Sequence, residues 1–148
     1  MGCAHNAGAM INAAAASTPA PAAAPAPAVT PAPAKPERWQ LAGGDAATAT
    51  LHIPADARRE RRFEIACAVT VAVPGAASEA WLQMSVLANG TQQWRRRAPA
   101  HNPGAWDGLD YRFARSVPVG QALRVTVAVA VAGQGVRRRS LVIEADEV

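Results

Sequence analysis

From Trp39 to the C-terminus, apolar and polar residues alternate with a period of two, the repeat of a β-strand that packs one face against a core. The clearest case is the stretch RRERRFEIACAVTVAV, residues 58–73. Its apolar positions on one side of an extended chain are Phe63, Ile65, Cys67, Val69, Val71 and Val73. The pattern therefore predicts a long strand over residues 62–73, preceded by a charged segment.

Other segments alternate in the same way, at 50–53, 81–88, 91–97, 109–117, 122–132 and 136–145. Short turns rich in Gly, Pro or Asn separate them, and no segment has a helical apolar face with capping residues. About seven strands at this spacing, with polar or small residues at alternate positions, are typical of an antiparallel β-sandwich. We predict such a domain over residues 37–148, immunoglobulin-like or jelly-roll in topology.

The short loop GQG, residues 133–135, suggests how the last two strands pair. If they form a hairpin with a three-residue loop, Val127 lies opposite Leu141. A loop of even length would place Val127 opposite Ser140 instead. Hydrophobic matching therefore favours the three-residue loop.

Residues 1–36 differ in composition from the rest of the chain. They consist mainly of Ala and Pro, and Lys35 is their one formal charge. The prolines after residue 17 prevent a continuous helix, because each ring lacks an N–H donor and restrains the residue before it. We predict a disordered, polyproline-like tether whose last twenty residues can extend to about 60 Å.

The first residues, MGCAHNAG, resemble the processing site of bacterial lipoproteins, where a small residue precedes a cysteine that becomes lipidated. Gly2 and Cys3 match the end of that site, and an Ala/Pro spacer follows them. The resemblance implies a lipid anchor at Cys3 and a place in the cell envelope, periplasmic or membrane-anchored. It also implies a longer precursor, because no basic and apolar signal segment precedes Gly2. If Met1 is the authentic start, we expect a cytoplasmic protein.

Arginine occurs in three clusters, at residues 58–62, 95–97 and 137–139. Each adjoins a predicted strand end or turn, where charge solvates the rim and discourages edge-to-edge aggregation. The alternative is a basic surface for an anionic polymer or lipid, with Arg95, Arg96 and Arg97 as contact residues. Residues 37–148 hold fourteen arginines against eleven acidic residues, a net charge of +3 that indicates no specific nucleic-acid binding.

The chain has four tryptophans but only one tyrosine and two phenylalanines. Exposed together, Trp81, Trp94 and Trp106 would suit a carbohydrate-binding module. Trp81 is out of phase with the apolar Leu82, so it should face away from the core.

The position of Trp94 depends on the turn at residues 89–90. A two-residue turn sets Trp94 opposite Ser85, beside Trp81, whereas a three-residue loop with a bulge at Gly90 sets it opposite Met84, in the core. We favour the second arrangement, since a buried tryptophan is the commoner one on a sandwich strand.

No arrangement of residues indicates catalysis, a cofactor or a metal ion. The three histidines fall in the tail, on the outward face of a short strand and in a loop. The sequence has no GxSxG motif, no HExxH motif and no phosphate-binding glycine loop. The loop at 101–111 offers Asn102, Asp107 and Asp110, fewer oxygen ligands than calcium takes, and we interpret it as an ordinary turn-rich loop. Cys67 is expected to pack as a small apolar residue.

These observations predict a tethered, non-enzymatic β-sandwich that acts as a binding or scaffold module of the cell envelope. Carbohydrate binding through exposed tryptophans and a basic surface for an anionic polymer or lipid are the alternatives. The expected partner is another envelope protein or a glycan. Membrane contact is expected only through a lipid at Cys3, and no cofactor is expected.

Overall fold

The computed structural model describes residue 2 and residues 17–27, 32–74, 79–100 and 106–148, with the backbone alone at Trp106. The chain divides into two units, Met1–Pro33 and Ala34–Val148. The described residues of the first unit are exposed and form no helix or strand. No helix in the described part of the chain has the length and hydropathy needed to cross a membrane.

The second unit contains eight strands in two four-stranded antiparallel sheets, which confirms the predicted all-β sandwich and adds one strand to it. We call the sheet with the strand order β1-β8-β3-β6 the β3 sheet, and the sheet with the order β2-β7-β4-β5 the β4 sheet. The strands are β1 (Arg38–Ala42), β2 (Thr48–Ile53), β3 (Arg61–Ala72), β4 (Trp81–Ala88), β5 (Thr91–Pro99), β6 (Trp106–Val117), β7 (Leu123–Ala132) and β8 (Arg137–Glu147).

The strands pair as one long hairpin that has been rolled up. β1 pairs with β8, β2 with β7, β3 with β6 and β4 with β5, and every pair is antiparallel. Successive strands therefore alternate between the two sheets, except at the β4–β5 hairpin. An eight-stranded sandwich wound in this way is a jelly roll, so of the two predicted topologies the chain adopts this one and not the immunoglobulin-like one.

The hairpin predicted at residues 133–135 is wrong. β7 and β8 belong to different sheets, so this loop carries the chain across the sandwich. Val127 pairs with Ala49 and Val86, while Leu141 pairs with Val69. Val127 and Leu141 are both buried in the same core, so they pack from opposite sheets instead of facing each other within one sheet.

The core lies between the sheets and follows the period of two in the sequence. In β3, alternate residues from Arg61 to Val71 are buried. Cys67 is one of them, and it packs as the small apolar residue that was predicted. Burial raises the pKa of the Cys67 thiol to about 12, so the thiol stays protonated and unreactive at neutral pH.

Candidate functional site

The strands of the two sheets differ in charge. The strands of the β4 sheet contain four arginines and one histidine but no Asp or Glu. The strands of the β3 sheet contain six acidic residues as well as eight arginines, so charges of both signs are mixed there. None of the salt bridges among the described residues involves an arginine of the β4 sheet. The positive charge of this sheet therefore has no acidic partner within the described part of the domain.

Most of this charge lies on the outer face of the β4 sheet, which we call the basic face. Arg95 and Arg97 of β5, Arg124 of β7 and His52 of β2 are exposed there. Between them the face is lined by hydroxyl and methyl groups. The residues that form this floor are Thr48, Thr50, Ser85, Leu87, Thr126, Ala128 and Ala130. The basic face thus combines a positive rim with a floor of mostly small side chains.

The outer face of the β3 sheet is different, because its charges are of both signs and partly paired. Arg38 and Asp146 form an ion pair at 3.2 Å, and the Gln40 amide donates a hydrogen bond to Glu144 at 3.0 Å. A shallow depression of about 340 Å³ on this face is lined by carboxylates together with Arg112. An unbalanced charge of one sign is therefore a property of the basic face.

The arginines at 95–97 lie in the middle of β5 and not at a strand end, since β5 continues to Pro99. β5 is an edge strand, a position where charge opposes edge-to-edge pairing. Arg96 pairs with Met84 and so lies on the core side of the sheet, but it remains exposed at the edge. Only Arg95 and Arg97 of this cluster belong to the basic face.

Trp81 lies on the basic face, as the sequence predicts, and is half-buried there. The guanidinium carbon of Arg97 lies 3.9 Å from the centre of a Trp81 ring, a cation–π contact. The Arg97 Nε–H group also donates a hydrogen bond to Gln83 Oε1 at 3.3 Å. Trp81, Gln83 and Arg97 therefore form one connected cluster at an edge of the basic face.

Trp94 lies on the core side of the sheet, as predicted, but the turn before it is not the predicted three-residue loop. Asn89 and Gly90 form a two-residue turn in which both residues have positive φ, 48° and 80°, as a type I′ turn requires. The bulge comes after this turn, where Gln93 is the extra residue, and it sets Trp94 opposite Val86.

Trp81 and Trp94 consequently face opposite sides of the sheet and form no shared platform for a sugar. The Trp94 ring stacks on Tyr111 with 4.8 Å between centroids, and Tyr111 stacks on Phe113 at 5.6 Å. These rings join the edge strands β5 and β6 of the two sheets. Trp106 is the first residue of β6, and its side chain lies outside the described part of the structure.

The remaining candidate site residues, in the tail and in the loop at 101–111, do not form a common site among the described residues. Cys3 lies outside the described residues, as do residues 101–105 of the predicted loop. The rest of that loop is strand, because β6 begins at Trp106, and Asp107 and Asp110 lie on opposite faces of it. Within the described ranges, no three His, Cys, Asp or Glu residues are grouped so that they could hold a metal ion.

The arginine cluster at residues 58–62 does more than solvate the rim, so that prediction is wrong for Arg61. Arg61 is only 4% exposed, and it donates a hydrogen bond to the Glu37 carboxylate at 2.9 Å. Arg59 donates to both Glu147 and Glu37. These groups form an ion-pair network at one end of the sandwich, where the domain begins and ends.

The network favours the charged form of two carboxyl groups. The hydrogen bond from the Arg59 side chain holds the pKa of Glu147 below its usual value of 4.5. The backbone N–H group of Arg58 does the same for Asp56, whose pKa lies below its usual value of 3.8. Both carboxyl groups therefore bind protons less readily in the folded chain than in the unfolded one.

We expect acid to destabilise the domain through these groups. A pKa that is lowered by folding stabilises the fold fully above the unfolded value, and this stabilisation is lost as the pH falls through the folded value. For Glu147 the loss begins below about pH 4.5. Urea denaturation at neutral pH and near pH 3 measures this loss of stability. Glu147→Gln should lose less free energy of unfolding between these conditions than the wild type, and equal losses would contradict the assignment.

No protein-family model matches this sequence, and no curated protein is significantly similar to it. Three solved structures share some of its β-structure. Dimeric latent PorU from Porphyromonas gingivalis is 16% identical with a TM-score of 0.41, over 74% of this chain and 11% of that one. The C-terminal domain of EclA, a sugar-binding protein, is 19% identical with a TM-score of 0.39, over 80% and 86%. A structure of infectious bursal disease virus, Gt strain, is 13% identical with a TM-score of 0.38, over 76% and 30%. With every TM-score below 0.5, these similarities assign no function to the chain.

Proposed function

We propose that this chain is a non-catalytic binding module that holds an anionic polymer on its basic face. The charge segregation carries the proposal: the strands of the β4 sheet have four arginines and no acidic residue, and no described salt bridge neutralises them. A surface of one sign attracts polymers of the opposite sign and steers them towards it.

An acidic polysaccharide suits this face better than a lipid bilayer or a nucleic acid. The hydroxyl and methyl groups of the floor match a hydroxyl-rich chain. Among the described residues, the large apolar side chains that are exposed are Val119 and Val148, and neither is on a strand of the β4 sheet. Trp81 and Leu87 are only partly exposed on this face, which is less apolar surface than insertion into a bilayer uses. Single-stranded nucleic acids need free aromatic rings for stacking, whereas Arg97 already covers Trp81.

The proposal includes the tether. A lipid at Cys3 would hold the module at the cell envelope, and the Ala/Pro segment would let the basic face reach polymer as far as about 60 Å away. The support for this part is the sequence of residues 1–36, with its lipoprotein-like start and its spacer composition.

Binding of the full chain to polygalacturonate, with neutral dextran for comparison, tests the function. We expect the chain to bind the acidic polymer and not the neutral one, with an affinity that falls steeply between low and physiological salt as counterions are released. Replacing Arg95, Arg97 and Arg124 together by Glu should weaken binding about 100-fold, if each reversal costs about 1 kcal/mol.

The matched control replaces Arg62, Arg112 and Arg139 by Glu, which are exposed arginines on strands of the β3 sheet. This variant has the same net charge as the first but an unchanged basic face, so it should keep most of the affinity. Equal losses in the two variants would show that net charge alone matters. Failure of the wild type to bind any acidic polymer would refute the proposed ligand and leave a scaffold role.

A further inference from the structure

Arg97 is the most constrained arginine of the basic face. Its guanidinium carbon lies over a Trp81 ring, 3.9 Å from the ring centre, and its Nε–H group donates a hydrogen bond to Gln83 at 3.3 Å. Trp81 and Gln83 are both on β4, which is paired on each side and so forms a rigid support. Arg95 lies two residues earlier on the same face of β5, and it makes no such contact with any described residue.

The contacts of Arg97 leave its two terminal nitrogens, Nη1 and Nη2, without a hydrogen-bond partner among the residues that the structure describes. Contact with the indole and the hydrogen bond at Nε together restrain the position of the guanidinium group. The pair of donors is therefore held in place before a ligand arrives. A group held in this way loses less conformational entropy on binding than a freely moving side chain does.

We infer that Arg97 is a preformed subsite for a carboxylate, with Trp81 and Gln83 as its positioning residues. A guanidinium edge and a planar carboxylate match in shape and can form two parallel N–H···O bonds. The cluster supplies one positive charge, which balances one carboxylate. The inference deepens the proposed function, on which it rests for the polymer, and it identifies that polymer as one built from uronic acids.

The subsite can be tested without a polymer, by titrating the isotope-labelled full chain with D-glucuronate and, as the neutral match, D-glucose. We expect glucuronate to shift the nuclear magnetic resonance signals of the Arg97 Nε–H and Trp81 indole N–H groups. The dissociation constant of a single small site should be on the order of 10 mM. Glucose should leave both signals in place. If glucuronate does not move the Arg97 signal, the inference is wrong.

Arg97→Lys and Arg95→Lys provide a matched pair, because both keep the positive charge. Only Arg97→Lys removes a guanidinium group that neighbouring side chains hold in place. We expect Arg97→Lys to weaken polygalacturonate binding about tenfold and Arg95→Lys less than about twofold. Equal losses would overturn the subsite while leaving the proposed function intact. Absence of polymer binding by the wild type would refute the proposed function, and the glucuronate titration would still decide the subsite.

Discussion

Replacement of Val127 by Asp is expected to unfold the domain. Val127 lies in the middle of β7, is completely buried, and pairs with Ala49 on one side and Val86 on the other. A carboxylate at this position would be surrounded by apolar side chains, with no donor to replace water. The cost is several kcal/mol, a large part of the total stability of about 5–15 kcal/mol that a domain of this size has. Val71→Asp, in the opposite sheet, should have the same effect.

Arg138→Ala is the control for this prediction. Arg138 is half-buried near the β7–β8 connection, where its Nε–H group donates to the backbone carbonyl of Asp45 at 2.9 Å. Loss of one exposed hydrogen bond should cost about 1 kcal/mol or less. Chemical denaturation of the variants measures both effects. A loss at Arg138 as large as the loss at Val127 would mean that the depth of burial does not determine the size of these losses.

The strands themselves could be predicted from the sequence, because burial of one face leaves a period of two. β4 has the predicted bounds, and β3 differs from its prediction by one residue at each end. β1 was missed because it is five residues long and none of its residues is fully buried. Its place in the sheet comes from pairing with β8, which is about a hundred residues away in the chain.

The pairing of the strands could not be predicted in the same way. Two segments of alternating apolar and polar residues, joined by a short loop, have the same sequence pattern whether the loop closes a hairpin or crosses between the sheets. In a jelly roll most connections cross, so local matching of Val127 with Leu141 pointed to the wrong partner. The bulge at Gln93 is a similar case, since nothing in TQQWRRR specifies which residue is left unpaired.

The basic face depends on this long-range pairing. Arg95, Arg97 and Arg124 are separated by up to 29 positions in the sequence, and the acidic residues are interspersed among the arginines along the chain. Only the choice of strands that share a sheet leaves the β4 sheet with arginines and without acidic residues. The sequence therefore indicated the arginines at 95–97 but could not show that Trp81, and not Trp94, contacts one of them.

The ion-pair network also depends on distant residues, and it leads to the second large effect. Arg61 is buried, and its guanidinium group contacts Glu37 at 2.9 Å and the Pro54 carbonyl at 2.6 Å. Glu37 is less dependent on Arg61, because it also accepts hydrogen bonds from Arg59 and from the Trp39 indole. The two members of this ion pair should therefore differ in how costly they are to remove.

Glu37→Ala is expected to cost about 3–5 kcal/mol, since it removes the one carboxylate that is hydrogen-bonded to the buried charge of Arg61 among the described residues. Arg61→Met should cost only about 1–2 kcal/mol, because it removes the buried charge itself and leaves Glu37 with two donors. The double variant should be more stable than Glu37→Ala alone. Urea denaturation at neutral pH measures all three. A larger loss for Arg61→Met than for Glu37→Ala would show that the packing of the arginine stem, and not its buried charge, determines the stability of this end of the sandwich.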